Sequence, residues 1–589
     1  MMLVDTIASW WPPPPPPPPA ALADSVLSYQ PPDLWASSPQ LPRRLAEAPT
    51  DFTMARLLSV APKRQIVLSF TNRVRLDFAR TWVAHVRSLN MNNFLIGATD
   101  QKALAGLLAA GTPCFSMETN LPQGEWPWGS PSFKALGPHK IELIYKVISW
   151  NFEVVITDID ALVLREPFAF MARWPDAAFL TTSDHLGNTT GAVDDGLETH
   201  NGIHTAFNIG YMFFRKSALP LVEEWRRVIR EAPRTRWDQG EFNRLARQKW
   251  DPRSTKGLSD PRLFWSYNKQ LIGGVLPLAL FAGGHNHFVS QFAQRRGWKP
   301  YSVHTTYQYA AAAGKRHRLR EGMVWVDPPA YYNPPSGLLS FTLDVPRTLI
   351  YPPGGMSTAG HIALINHQLR QIKTALAVAH ALGRKLVMPR VVCGYDKASG
   401  ARLRVRLRAG LRVRGSQPCR VALEATPQGP CQIAAKPSPL TPHPSPLTLT
   451  LKAWYPLSSG HPSTKYASKG VFPGAPAYIL PIFNCPIDHF LEVGMMAPEE
   501  TIREHSLLDN PRTPEAVTGS LVTTELRPSG ATSGAEIERL RTSFASAKVL
   551  NLSHVASIDA MRDVLTRPQA KAFANKFSHV YGSWCCAPR

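Results

Sequence analysis

Two carboxylates separated by one residue close the apolar run at 152–160 (FEVVITDID). Under strand alternation Val154, Ile156, Asp158 and Asp160 share one side, and Val155, Thr157 and Ile159 the other. Residues 154–156 are apolar on both sides, which predicts a central strand. Carboxylates at the carboxyl end of such a strand sit where open α/β sheets bind ligands. At this spacing they can hold one hard divalent cation and leave positions for diphosphate oxygens. Mn²⁺ or Mg²⁺ there would offset the charge that builds on a departing nucleotide. Three further places could join this chemistry. Asn208 lies in the apolar FNIGYMFFR of 207–215 and must find hydrogen-bond partners, either a sugar hydroxyl or backbone. Gly210, two residues on, lets another group approach closely. Asp238 and Gln239 stand at the start of a predicted helix, where Asp238 reads as an N-cap or as a carboxylate aimed at a sugar ring. His304, in the strand-like YSVHTTYQ, could complete a Mn²⁺ site beside carboxylates.

The elements that must position these groups alternate. Apolar runs at 65–70 (QIVLSF), 93–99 (NFLIGAT) and 114–117 read as strands, with helical spacing at 75–89, 100–111 and 132–150 between and after them. Strands at 177–183 and 207–215 follow, then helices at 217–230 and 239–248. This order predicts an α/β domain with a mostly parallel sheet, assigned to 62–335. After a Pro-rich joint at 327–353, a helix at 361–382 and a strand at 385–389 predict a second α/β domain at 354–589. Its basic and Pro/Ser/Thr-rich stretch at 398–470 reads as a disordered insertion, and residues 1–61 as a Pro-rich linker or stem.

Composition narrows the function classes. Of 589 residues 55 are proline, about 9% against a usual value of roughly 5%. The net charge is +22, which suits nucleic acid or small anions alike. Seven arginines fall within 402–420, so the charge does not describe a nucleic-acid surface across the fold. No zinc-finger, RNP or helix-turn-helix signature accompanies it, and no nucleic-acid partner is expected. A structural wall protein would need recurrent Ser-Pro repeats, which are absent outside 1–60 and 436–446. A strand followed by DxD also opens the haloacid-dehalogenase phosphatases, which want Thr or Val two residues after the second Asp; Leu162 stands there. Six of the seven cysteines lie after residue 390, which fits either a disulfide-bearing C-terminal region or reduced buried thiols. No apolar run of about 20 residues is present, so no membrane span is expected.

The motifs TDIDALVLREPF, FNIGYMFFRK, WDQGEFNRL and VHTTYQYAAAAGKRHRLREGMVW resemble those of glycosyltransferase family 77. The likeness is to its plant and algal arabinosyltransferases acting on hydroxyproline-linked arabinose of extensin-type glycoproteins. It covers roughly 62–335. A second stretch, from HIALINHQLRQIKTALAVAHALGRKLVMPRVVCGYDK through FNCPIDHFLEV to the terminal WCC, resembles their C-terminal region. The resemblance implies a GT-A fold, a UDP-sugar donor, Mn²⁺ (or Mg²⁺) and a hydroxyproline-rich glycoprotein acceptor. The implied donor is UDP-β-L-arabinofuranose, used with retention, with galactose or xylose as the alternative sugar. Asp158, Asp160 and His304 match the metal ligands, Asp160 ahead of Asp158 as the direct one. Lys140 matches a basic position for the donor phosphates. Thr71, Asn72 and Asp100 fall where such folds hold the nucleoside. Asp238, Gln239 and Asn208 would position or stabilise the sugar during front-face attack, with a covalent intermediate through Asp238 as the rival. A Golgi location with membrane association is also implied, although the anchor expected of the family is not visible in the sequence.

Overall fold

The computed structural model describes residues 50–555, apart from 118, 123, 200–205, 252–254, 395, 397–480, 492, 494–499 and 527–532. The predicted basic insertion and most of the predicted stem therefore lie outside the described residues.

Eight strands build the first sheet: β1 (Gln65–Thr71), β2 (Phe94–Ala98), β3 (Cys114–Ser116) and β4 (Glu153–Thr157), then, past the short β5 (Ala161–Val163), β6 (Phe179–Ser183), β7 (Phe207–Phe214), β8 (Phe264–Ser266) and β9 (Leu271–Val275). Their spatial order is β3-β2-β1-β4-β7-β6-β9-β8. β1 runs parallel to β2 and β4, whereas β7 is antiparallel to β4. Alternation sorts the side chains into two cores. Val67 and Val155 join Phe78 and Trp82 on one face, while Ile66, Leu68, Val154 and Ile156 join Ile144 and Trp225 on the other. Helices cover both faces, which explains why these strands read as unbroken apolar runs. A small second sheet, ordered β10-β11-β5, uses β10 (Phe281–Gly283) and β11 (Ser302–His304).

The predicted stem ends earlier than residue 61. Met54–Val60 is a helix whose Leu57 is fully buried and whose N-cap Thr53 accepts from the Arg56 N–H. Phe52 packs against Phe115 with ring centroids 4.4 Å apart, so this stretch belongs to the first unit's surface.

The other large sheet is wholly parallel, ordered β16-β13-β12-β18-β17 from β12 (Leu338–Phe341), β13 (Lys385–Val387), β16 (Ile502–Arg503), β17 (Leu521–Thr524) and β18 (Val549–Leu552). Its central strand β12 lies inside the stretch read from sequence as a Pro-rich joint. The prolines flank SGLLSFTL without entering β12, and Leu338 and Leu339 are fully buried. The helix Thr358–Leu382 packs on this sheet. Gly383 closes it in a left-handed conformation (φ 71°), and β13 follows directly. β14 (Val392–Cys393) pairs with β15 (Ile482–Phe483), and a disulfide joins Cys393 to Cys485 across a sequence separation of 92. Cys114 is buried and free.

Candidate active site

The predicted strand does not run through Asp160. β4 ends at Thr157: the Asp158 N–H still donates across to Gly210 O of β7 (2.8 Å), but Asp158 O accepts from the Ala161 N–H (2.9 Å), which closes a turn. Both carboxylates therefore leave a turn between β4 and β5 rather than one strand face. β11 pairs antiparallel with β5 and places His304 opposite Ala161, beside Asp160. His304 Nε2 lies 3.8 Å from Asp158 Oδ2 and 3.8 Å from Asp160 Oδ1. That separation falls between about 3.0 and about 4.2 Å, the spans of adjacent and opposite ligands around a small octahedral ion. Together the three residues can offer one ligand atom each within 4.8 Å of one another. Gly210 makes this possible: a Cβ there would stand 2.1 Å from His304 Cε1.

Each carboxylate divides its two oxygens. Asp158 Oδ1 accepts from Lys140 Nζ (2.7 Å), and Asp160 Oδ2 accepts from Lys315 Nζ and from the Thr305 hydroxyl (2.8 Å). The oxygens left over are those turned toward His304. Burial raises the Asp160 carboxyl, but the charges of Lys315 and His304 and the hydrogen bonds from Lys315 and Thr305 outweigh it, leaving the group below the usual carboxylate range. Two carboxylates and an imidazole form a donor set suited to Mn²⁺ or Mg²⁺, with the imidazole favouring a transition metal. Lys140 is buried in the helix Gly137–Ser149 and also donates to Ile209 O (2.7 Å), which ties that helix to β7.

Because β7 is antiparallel to β4, its first residues lie beyond the carboxyl end of β4. Asn208 there donates to Asp184 Oδ1 (2.8 Å), and its own Oδ1 accepts from the Gly210 N–H (2.8 Å). Gln239 donates to the other oxygen of Asp184 (2.9 Å). Burial pushes the Asp184 carboxyl up, partly offset by those two amides and by His304. Asp238 is the first residue of the helix Asp238–Ala246, and Trp237 occupies the N-cap position. Asn243 fixes this helix by exchanging hydrogen bonds with the backbone of Phe207 (2.9 and 2.8 Å). Burial pushes Asp238 up to about 6; Lys140 opposes the rise and Asp158 adds to it.

At the carboxyl end of β1, Thr71 and Asn72 are both buried. Asn72 Nδ2 donates to Gly124 O (2.8 Å), while its Oδ1 is buried with no hydrogen-bond partner among the described residues. Asp100 caps the helix Gln101–Ala109, taking the Ala103 N–H on one oxygen and the Arg73 N–H on the other, both at 2.9 Å. That binds the β1 and β2 ends together.

Thus Asp158, Asp160, His304 and Lys140 converge, and Asn208 and Gln239 meet on a residue that sequence reasoning missed, Asp184. Lys315 and Thr305 were missed as well. Thr305 and Lys315 lie in the same motif as His304, VHTTYQYAAAAGK, so the signal was present in sequence, although only His304 was singled out there.

Residues 89–319 match the nucleotide-diphospho-sugar transferase family. The chain is 32% identical over 552 residues to Arabinosyltransferase XEG113 of Arabidopsis thaliana, covering 88% of this chain and 74% of that protein. It is 22% identical over 187 residues to Beta-arabinofuranosyltransferase RAY1 of the same plant, covering 31% of this chain and 33% of that protein. An α/β sheet with this carboxylate turn, and a relative matched across most of both chains, make the chain a member of glycosyltransferase family 77, a UDP-sugar-dependent glycosyltransferase with a GT-A unit.

Proposed function

We propose that the protein transfers L-arabinofuranose from UDP-β-L-arabinofuranose, with retention, to hydroxyproline-linked arabinosides of wall glycoproteins in the Golgi lumen. The observation that carries the reading is the convergence of Asp158, Asp160 and His304 between two lysines at the end of a central strand. The two relatives, an arabinosyltransferase and a beta-arabinofuranosyltransferase, support arabinofuranose as the sugar. Asp158 Oδ2, Asp160 Oδ1 and His304 Nε2 would hold Mn²⁺, which when bound offsets charge on the leaving diphosphate. Lys140 and Lys315 exchange carboxylate oxygens for phosphate oxygens as the donor enters, each carrying a compact charge on a flexible stem. Asn72 Oδ1 accepts from the uracil N3–H, with Thr71 beside it, while Asp100 shapes the wall behind. Asp238 and Asp184 stand against the sugar, and Asn208 and Gln239 fix the direction of Asp184. The acceptor hydroxyl attacks the anomeric carbon on the face from which the diphosphate leaves. One C–O bond breaks, one forms, and the hydroxyl proton passes to a departing phosphate oxygen. A mass-spectrometric screen of the purified chain with Mn²⁺ against several UDP-sugars tests the donor. Turnover of UDP-arabinofuranose is expected; exclusive turnover of UDP-galactose or UDP-xylose would overturn the sugar assignment.

A further inference from the structure

The second α/β unit contacts the segment that carries Lys315 through the carboxylate of Asp488. Asp488 lies in the short helical turn Ile487–His489, three residues past the disulfide-bonded Cys485. Its Oδ1 accepts from Arg318 Nε (2.9 Å) and Nη2 (2.6 Å), and its Oδ2 accepts from the Tyr309 backbone N–H (2.8 Å). Both charged side chains are 1% exposed. Residues 309 and 318 bracket Lys315, whose ammonium holds Asp160. Arg318 follows Lys315 by three residues in the helix Ala311–Glu321, so their side chains leave the helix about 60° apart, one toward each unit.

The turn entering this helix is conformationally expensive. Tyr307, Ala310 and Ala311 all have left-handed backbones (φ 50°, 66° and 47°) without being glycine. The helix has no side-chain cap of its own. Gly314 allows the turn to fold back, since a Cβ there would meet Tyr309 O at 1.5 Å. Such a conformation persists only when its surroundings hold it. Asp488 supplies one hold at each end. On the site side, Thr305 and Tyr307 add others, through Asp160 Oδ2 (2.8 Å) and Asp184 O (2.7 Å). The second unit adds further contacts along the same helix. The Ile487 N–H donates to Glu321 (3.0 Å), and the Ser506 hydroxyl donates to Arg320 O (3.2 Å).

We infer that Asp488 is a positioning residue for Lys315, so that the second unit sets how tightly the first unit grips the donor diphosphate. This rests on the reading of Lys315 as a phosphate ligand. A double-mutant cycle on the full chain tests it, with UDP affinity measured by calorimetry in saturating Mn²⁺ for wild type, Asp488→Asn, Lys315→Ala and the double variant. An Asn at 488 cannot accept from both Arg318 and the Tyr309 N–H. Asp488→Asn is expected to weaken UDP about tenfold, Lys315→Ala at least as much, and the double variant no more than Lys315→Ala. Unchanged UDP affinity in folded Asp488→Asn would overturn the inference. So would a full additional loss when it is added to Lys315→Ala, because a merely structural role would act independently of the lysine. If Lys315→Ala itself leaves UDP affinity unchanged, the phosphate role of Lys315 fails and the inference with it. Should Asp488→Asn not fold, Arg318→Lys keeps the charge and loses the fork; a threefold or larger weakening of UDP supports the inference and an unchanged affinity overturns it.

Discussion

One helix, Ala311–Glu321, faces two sets of carboxylates that are built in opposite ways. Through Lys315 it meets Asp160 beside Asp158 and His304, where the counterions are lysines and the Asp158 side chain is 34% exposed. Through Arg318 and Arg320 it meets Asp488 and Asp327 in sealed, forked pairs, with the Glu321 side chain (6% exposed) and buried Glu504 alongside. In the first set Asp160 is held below the usual range by its cations. In the second, burial pushes Glu321 up to about 8 despite Arg318 beside it, with Asp488 adding to the rise. A lysine ammonium is a point charge that can exchange one oxygen for another, whereas a buried guanidinium fork fixes geometry. The first set is therefore suited to changing partners during a reaction, and the second to holding a strained helix entry in place. Residue type and burial, more than charge count, separate a site from a brace.

The contrast can be broken most severely on the sealed side. Arg318→Met leaves Asp488 buried without its cation, and chemical denaturation should show a loss of about 3–5 kcal/mol. On the open side, Gly210→Ala should leave the fold intact while displacing His304, with turnover falling about 100-fold, equivalent to about 2.7 kcal/mol. Glu321 gives a smaller and pH-dependent effect. Its folded value lies above its unfolded value, so between about 4.5 and about 8 the folded state keeps a proton that the unfolded state has lost. Stability should fall as pH rises through that window, by at most about 1.4 kcal/mol per pH unit, and Glu321→Gln should flatten the slope in denaturation midpoints. The smallest effect belongs to the exposed pair Arg390–Asp509, whose side chains are 61% and 58% exposed. Arg390→Ala should change stability by less than about 1 kcal/mol.

What could be read from sequence follows the same division. The central strands were legible because residues buried on both faces leave unbroken apolar runs, and Gly210 was legible as a place of close approach. The convergence of Asp158, Asp160 and His304 was legible because carboxylates at strand ends and a histidine in a strand carry recognisable chemistry. The turn at 158–160 was not legible, because strand alternation continues through TDID while the Ala161 N–H to Asp158 O bond and the pairing of β5 with the distant β11 redirect the chain. Asp184 looked like an ordinary residue after a strand until Asn208 and Gln239 closed on it. Lys315 was hidden in a run of basic residues whose two directions are decided by tertiary packing: Lys315 toward Asp160 and Arg318 toward Asp488. β12 was masked by flanking prolines, although its own residues have the apolar character of a strand.

Asp158, Asp160 and His304 are proposed as the catalytic metal site of this sugar-nucleotide transferase. The most direct test compares wild type with Asp160→Ala in Mn²⁺-dependent turnover of UDP-arabinofuranose, with thermal unfolding as the control for folding. The expected result is a folded variant with turnover abolished and no recovery at high Mn²⁺. Turnover equal to wild type in the folded variant would contradict the assignment.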